Sequence, residues 1–416
     1  MSVVAAVTPS VAQGVAQGVA LLAQQPIRVM IVDDAVVVRG LVSRWVDAEP
    51  DLKIVASLRT GQDALDELER TDPEVVLFDV EMPVLDGMAA LPLLLQKRPN
   101  LAIIMVSTVT RRNAEVTLKA LTLGAADYVP KPETNHEVTT SETFRHDLIE
   151  KIRHIGWRRR GRKYVPPTSR QPASALRPQK PFTVEGLVAD GNVHALQAPQ
   201  PQSEIKLRAF APAIPRVLLI GASTGGPQAL STILAAIGRV IDRAPVLITQ
   251  HMPIHCTRFL AERLNNICQL QVREGAEGSV LGPGQAWIAP GDQHMVTRRN
   301  RSNVTLHLTN DPPENSCRPS ADVMFRSIAK TYHNRCLAVV MTGMGKDGLD
   351  GCQEIKWHGG RILVQDEETS IAWGMPRAII KSDLAERIVP LAEMAHAITS
   401  IVAAQNVRER RNLITT

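Results

Sequence analysis

Two stretches of this chain repeat one pattern: short, almost wholly apolar runs that end in polar residues, separated by segments with helical spacing. In the first stretch the apolar runs are IRVMIVDD (27–34), VVLFDV (75–80) and AIIMVS (102–107), with helical spacing over Val36–Ala48 and Gly61–Arg70. In the second they are RVLLIGAS (216–223), PVLITQHM (245–252), LAVVMTGM (337–344) and RILVQDE (361–367), with helical segments at Pro227–Ile237, Arg258–Leu264 and Ala321–Thr331. A strand that is apolar on both faces must be covered on both, which is the condition of a parallel sheet flanked by helices. The pattern therefore predicts two α/β units, one over 27–150 and one over 214–405. Around 272–310 the chain is richer in Gly, Pro and alternating residues, as in VLGPGQAWIAPG, which predicts a small antiparallel hairpin.

The segments outside these units differ in kind. Residues 151–213 include YVPPTSRQPASALRPQKP and LQAPQPQSE, whose Pro, Gln and Ser content cannot bury enough surface to fold, so they read as an interdomain linker. Residues 1–26 read as a disordered or weakly helical leader without the basic start of a signal peptide, and 406–416 as a tail. The net charge of +5 is mild, and much of it lies in Arg158–Arg160 with Arg162 and Lys163. Such a run reads as a solvated helix end or linker rather than a nucleic-acid site. The five cysteines, Cys256, Cys268, Cys317, Cys336 and Cys352, form no CxxC pair and no zinc-spaced cluster. A disulfide framework is not expected, and the odd count fits a reducing cytoplasm. No apolar run reaches the roughly 18 residues of a membrane span.

Three acids fall at the carboxyl ends of predicted parallel strands: Asp33 and Asp34 after the first run, and Asp79 near the end of the second. Sites in open parallel sheets form at that edge. Clustered carboxylates repel one another unless a hard cation neutralises them, and Mg2+ prefers such oxygen ligands. Ser107 ends another strand, and Lys131 follows ADYVP. A hydroxyl and an ammonium beside a metal-bound carboxylate make a phosphoryl-transfer site. Taken singly, each of these residues is ordinary, since a strand-end Asp is more often a cap or a turn residue.

The second unit carries a different set. GASTGG (221–226) lies between an apolar strand and a helix, and the small residues around Ser223 allow a substrate close approach. It is neither GxGxxG nor a P-loop, which sets aside the common phosphate-binding readings, and it is not the GxSxG elbow either. His251 ends the next strand and could serve Ser223 as a base. Asp347, within TGMGKDG (342–348), ends a later strand and could orient the imidazole. Alone, Ser223 reads as a helix N-cap, His251 as a loop histidine and Asp347 as a turn acid.

Residues 27 to about 150 resemble a response-regulator receiver domain. The resemblance rests on Asp33 and Asp34 as the acidic pair, Asp79 as phosphoacceptor within FDVEMPVLDG (78–87), Ser107 as switch hydroxyl, Tyr128 as switch aromatic and Lys131 as the family's lysine. It implies a flavodoxin-like, five-stranded parallel sheet and Mg2+-dependent transfer of phosphate to Asp79 from a histidine kinase of the CheA type. A third protein ligand to the ion is implied at the main-chain carbonyl of Glu81. Residues from about 214 to 405 resemble the catalytic domain of the CheB chemotaxis methylesterase family. That resemblance rests on GASTGG, QHMP with TRFLAERL, APG (289–291), RPSADVMFRS (318–327), TGMGKDG and GMP (374–376). It implies a doubly wound α/β domain with Ser223 as nucleophile, His251 as general base and Asp347 as orienting acid. It further implies an oxyanion site at the Met344 N–H, flanked by Thr224, and no cofactor for the ester chemistry.

Together the two resemblances imply a cytoplasmic, phosphorylation-activated serine hydrolase. Its substrates would be glutamate methyl esters, and selected glutamines, on methyl-accepting chemotaxis receptors. No nucleic-acid partner and no membrane insertion are expected. Two other classes compete: a regulator with a DNA-binding output, supported only by the arginine run, and an idle hydrolase fold used as a binding module. The first lacks a helix-turn-helix, and the intact Ser/His/Asp set opposes the second.

Overall fold

The computed structural model describes residues 25–108, 110–131, 142–161, 207, 213–238, 244–301 and 303–403. The leader through residue 24, linker residues 162–206 and the tail lie outside the described residues, as do Arg162 and Lys163.

The first unit runs β1 (Ile27–Val32), α1 (Val36–Asp47), β2 (Leu52–Leu58), α2 (Gly61–Thr71), β3 (Val75–Asp79), α3 (Gly87–Lys97), β4 (Ala102–Thr108), α4 (Arg111–Thr122), β5 (Asp127–Lys131) and α5 (Glu142–Arg159). Its sheet is parallel in the order β2-β1-β3-β4-β5. Alternate strand residues serve opposite faces. Val29, Ile31, Leu77 and Ile104 pack with Val38, Val42 and the α5 residues Leu148 and Ile152. Met30, Val32, Val76 and Phe78 pack with Leu68, Leu91 and Leu118 from α2, α3 and α4. Each such fully buried side chain contributes about 1.5–3 kcal/mol relative to exposure.

The second unit continues β6 (Val217–Ala222), α6 (Gly226–Ile237), β7 (Val246–Gln250), α7 (Cys256–Ile267), β8 (Gln271–Glu274), β9 (Gln285–Ile288), β10 (His294–Asn300), β11 (Asn303–Thr309), α8 (Ala321–Tyr332), β12 (Cys336–Val340), α9 (Leu349–Trp357), β13 (Arg361–Gln365), α10 (Gly374–Lys381), β14 (Arg387–Val389) and α11 (Leu391–Ala403). Seven strands form a parallel sheet in the order β14-β13-β12-β6-β7-β9-β8. The strand order reverses between β6 and β12, and sites in doubly wound sheets form at such a switch point. The corresponding reversal in the first unit falls between β1 and β3.

Within 272–310, β10 and β11 form the antiparallel hairpin. The earlier part of that stretch differs from the expectation, because β8 and β9 join the main parallel sheet. Ala286, Trp287 and Ile288 are all buried, so β9 is covered on both faces and its alternation in sequence is incidental. Among the described residues no disulfide forms, and all five cysteines are free.

The sequence places the start of the linker at 151, whereas α5 continues through Arg159. Phe144, Leu148, Ile152 and Ile155 recur on one face and are buried, which holds the helix to the sheet across that boundary. The arginine run at its end is not simply solvated, contrary to the sequence reading. Arg160 Nη2 lies 2.5 Å from Glu74 Oε2 and 2.8 Å from the Pro26 carbonyl. Arg158 donates to the carbonyl of Ser370 in the second unit. The planar, multi-donor guanidinium suits this mixture of carboxylate and carbonyl acceptors.

The two units share further contacts. Packing runs continuously from Leu118 and Leu121 of α4 to Leu260 and Leu264 of α7. Gln228 Nε2 donates to the Ala125 carbonyl at 3.2 Å, and Arg263 Nη1 to the Leu118 carbonyl at 3.4 Å.

Candidate active site and phosphoacceptor pocket

In the first unit, β1 and β3 deliver Asp33 and Asp79 side by side. Both are buried, while Asp34 is exposed, and the three carboxylates each offer an oxygen within 4.8 Å of the others. Lys131 Nζ, from the end of β5, lies 2.5 Å from Asp33 Oδ2 and 2.8 Å from Asp79 Oδ2. Asp33 Oδ1 accepts from the Ala35 N–H at 2.9 Å, and Asp79 Oδ1 from the Val80 N–H at 2.8 Å. Burial pushes the Asp79 carboxyl up to about 6, with the Asp33 charge adding to it and Lys131 opposing. Burial works against the Lys131 charge, but Asp79 and Asp33 outweigh it and raise that ammonium further. The hard oxygen donors and surplus negative charge suit Mg2+. Glu81 is exposed, and its carboxylate is not among the three clustered groups.

Ser107 is buried, and its hydroxyl donates to the Thr108 carbonyl at 3.4 Å rather than to Asp79. Tyr128 is buried as well, and burial holds its phenol well above the usual range. Lys151 of α5 covers it, with Nζ 2.6 Å from the Tyr128 carbonyl and 5.1 Å from the ring centre.

In the second unit the site is assembled at the switch point. Ala222 and Gln250 are partners on β6 and β7, so Ser223 and His251 leave adjacent strands at the same level. The His251 N–H donates to the Ala222 carbonyl at 3.0 Å. The Ser223 N–H donates to the Thr342 carbonyl at 3.0 Å, and the Thr342 hydroxyl to the Thr224 carbonyl at 2.8 Å, which ties the loop to the end of β12. Gln250 Nε2 adds a bond to the Ser223 carbonyl at 2.9 Å. Glycine is required where the loops meet: a Cβ on Gly343 would stand 2.9 Å from Ser223 Cβ and 2.3 Å from Met375 Sδ. Gly225 adopts φ +76°, which favours glycine, in the turn that starts α6. The N–H groups of Thr224 and Met344 donate to no group among the described residues.

His251 Nε2 lies 2.7 Å from Asp347 Oδ2. That carboxylate is unusually well held. Oδ1 accepts from the Ser320 hydroxyl at 2.7 Å, the Asp322 N–H at 3.1 Å and Asn315 Nδ2 at 3.2 Å, and Oδ2 from the Ala321 N–H at 2.6 Å. The last two main-chain donors belong to the first turn of α8, where free N–H groups and the helix dipole favour an anion. Burial alone would raise the Asp347 carboxyl, but hydrogen bonds from His251, Ser320 and Ala321 hold it well below the carboxylate range. Burial opposes the charge on His251, yet the facing Cys317 sulfur and the Asp347 carboxylate push the imidazole up to about 10. Asp322 lies next to this charge, and burial and then Asp347 push it up to about 7.

The structure thus brings Ser223, His251 and Asp347 into one crevice, with Thr224 and Met344 beside them. It also brings Asp33, Asp34, Asp79 and Lys131 into another. Sequence reasoning gave no role to Asn315, Cys317, Ser320, Asp322, Gln250 or Thr342. Ser320 carried a readable signal, an N-cap serine before an apolar-periodic helix; the others act through contacts distant in sequence.

The C-terminal helix of the first unit borders the crevice. A cleft of about 940 Å³ runs between α5 and the loops that carry Met344 and Trp373, with His146, His154 and Arg158 on one wall and Met344, Trp373 and Arg377 on the other. Asp147 of α5 stands near enough to His251 for their charges to interact.

Comparison with known proteins agrees with this division. The CheB methylesterase profile matches residues 218–398, and the response regulator receiver domain profile matches residues 29–141. A protein-glutamate methylesterase/protein-glutamine glutaminase of group 2 operon from Rhodopseudomonas palustris strain CGA009 is 48% identical over 379 residues, covering 91% of this chain and 95% of its own. A protein-glutamate methylesterase/protein-glutamine glutaminase from Nitrobacter winogradskyi strain Nb-255 is 43% identical, covering 92% of this chain and 96% of its own. The CheB methylesterase catalytic domain of Thermotoga maritima aligns at 33% identity with 46% of this chain and 100% of its own, at a TM-score of 0.44. With near-complete coverage at such identity, and a receiver domain preceding the methylesterase domain, this chain belongs to the CheB family of receiver-linked protein-glutamate methylesterases.

Proposed function

We propose that this chain is a phosphorylation-activated protein-glutamate methylesterase and protein-glutamine glutaminase that acts on methyl-accepting chemotaxis receptors, with Ser223 as nucleophile. The observation that carries the reading is the shared level of Ser223 and His251 on adjacent strands, with His251 Nε2 2.7 Å from Asp347. That contact leaves Nδ1 as the nitrogen that takes the Ser223 proton.

The Ser223 oxygen attacks the ester carbonyl, and its proton passes to His251 Nδ1. The oxyanion forms beside the unengaged N–H groups of Met344 and Thr224. The C–O bond to methanol then breaks, with His251 returning the proton to the leaving oxygen. A water molecule, deprotonated by His251, attacks the acyl-enzyme; the acyl C–O bond to Ser223 then breaks, His251 returns the proton to the Ser223 oxygen, and the glutamate carboxyl is released. With glutamine as substrate the leaving group is ammonia.

In the first unit Asp79 is the phosphoacceptor, and a histidine kinase of the CheA type is the donor. Asp33, Asp34, Asp79 and the Glu81 carbonyl would hold Mg2+, which would supply charge neutralisation for the transferred phosphoryl group. Lys131 stabilises the same charge from the protein side. The position of α5 beside the crevice supports control by the receiver, released when Asp79 is phosphorylated. The chemistry calls for a cytoplasmic setting where kinase and receptor meet; among the described residues no helix is long and apolar enough to cross a membrane.

The test is methanol release from methylated receptor membranes, with and without phosphodonor. Ser223→Ala should abolish it, and persistence of release in that variant would refute the assignment.

A further inference from the structure

Both ring nitrogens of His251 are engaged. Nε2 faces Asp347, and Nδ1, the nitrogen that must receive the Ser223 proton, faces Cys317 Sγ at 3.5 Å. The Ser223 hydroxyl itself makes no hydrogen bond among the described residues, so a thiol with no place in the proposed reaction stands at the working nitrogen of the base.

Cys317 is put there by a built turn. Glu314 and Cys317 exchange main-chain hydrogen bonds at 2.9 and 3.1 Å, and between them Asn315 and Ser316 adopt φ of 51° and 61°. Two successive left-handed residues are the signature of a tight turn that glycine or asparagine usually occupies. Arg326 anchors its start through a two-pronged pair with Glu314 at 2.5 Å. The same segment then supplies Ser320, Ala321 and Asp322, whose donors hold Asp347. One stretch, 314–322, therefore fixes the partners of both imidazole nitrogens.

We propose that Cys317 is a positioning residue of the esterase reaction: its sulfur occupies His251 Nδ1 in the resting enzyme and competes with the Ser223 hydroxyl for that nitrogen. This rests on the reading of Ser223 and His251 as nucleophile and base. The titratable groups facing the imidazole are Asp347 from the β12–α9 loop, Cys317 from the turn before α8 and Asp147 from α5. The sulfur works with Asp347 to keep the ring charged, which withholds it as a base. Removing the sulfur frees Nδ1 and lowers the pH at which His251 can accept a proton.

The test is the pH dependence of kcat/KM for methanol release from methylated receptor membranes, using the full chain with phosphodonor. Cys317→Ala should move the acidic limb down by about one pH unit, a gain of about tenfold on the limb, with KM unchanged. Cys317→Ser, which keeps the volume and a hydrogen-bonding group, should move it the same way by less. A limb that stays in place in both variants, or a loss of rate that is uniform across pH, overturns the proposal. If the alanine variant does not fold, the serine variant alone decides by the same criterion. Ser223→Ala is run alongside: if it is inactive while the limb stays in place, only the role of Cys317 fails, whereas an active Ser223→Ala removes the catalytic reading itself.

Discussion

Lys131 Nζ lies 2.8 Å from Asp79 Oδ2 at the carboxyl edge of the receiver sheet, and both groups are buried. The same ammonium reaches Asp33 at 2.5 Å, so one cation serves two acids delivered by neighbouring strands. The balance is incomplete: Asp79 is pushed up to about 6, because burial outweighs the lysine. A second positive charge is what the pocket lacks, and a divalent cation supplies it.

Asp79→Asn should therefore stabilise the receiver at neutral pH while abolishing its phosphorylation. With its folded value raised above the ordinary 3.8, the carboxyl contributes stability below that value, and the contribution is lost as pH rises through about 6. At pH 7.5 the native state carries the full cost of the buried charge, and the amide removes up to about 3 kcal/mol of it. Thermal unfolding should show a higher Tm for the variant at pH 7.5 and a vanishing difference near pH 4. Millimolar Mg2+ should raise the Tm of the wild type and leave the variant less affected.

His251, paired with Asp347, imposes the same sign of pH dependence in a higher range. The imidazole is raised to about 10, so its contribution to stability is complete below its ordinary value of 6.5 and is lost as pH rises through 10. The catalytic domain should lose Tm between pH 7 and 10, and His251→Gln should flatten that fall. Asp347→Asn should cut kcat by about 10⁴, since the amide cannot hold the required tautomer. It should also destabilise, because its NH2 group would replace one of two oxygens that now accept from Ser320, Ala321, Asp322 and Asn315.

What the sequence disclosed of this fold follows from where its strands lie. β1, β3, β4, β6, β7, β12 and β13 are covered on both faces, so they read as apolar runs. β2 has a mixed burial pattern at the sheet edge and leaves no such run. The chemistry at strand ends was legible because Asp33, Asp79, Ser223 and His251 directly follow or end those runs. The cage around Asp347 was not, because Ser320 and Asn315 meet it only when α8 docks against the loop after β12. The arginines at 158–160 misled for a related reason: their acceptors, Glu74 and the Ser370 carbonyl, lie far away in sequence.

Gly343→Ala tests the close approach of the loops that carry Ser223 and Gly343. The added methyl would meet Met375 Sδ at 2.3 Å and Ser223 Cβ at 2.9 Å, so the Ser223 loop or α10 must shift. Overpacking of this kind costs about 1–3 kcal/mol. Because the shift displaces Ser223, the proposed nucleophile, kcat should fall by about 10²-fold or more, beyond what the modest change in Tm suggests. Methanol release and thermal unfolding of the same preparation separate the two effects.

Arg158→Ala tests whether α5 restrains the crevice. Its guanidinium donates to the Ser370 carbonyl, and that loop continues through Ile371, against which Gly225 packs, to Ala372. The Ala372 carbonyl accepts from the Gly343 N–H at 2.8 Å, next to Met344. A hold on Ser370 is thus a hold on the loops that carry Gly225 and Gly343, on either side of Ser223. Losing one such bond to a charged donor weakens the docked state by about 1.5–3 kcal/mol, which corresponds to a roughly ten- to hundredfold shift toward undocked receiver. Methanol release without phosphodonor should rise several-fold in the variant, while the fully phosphorylated rate stays at the wild-type level. An unphosphorylated rate equal to that of the wild type would show that α5 borders the crevice without restraining it.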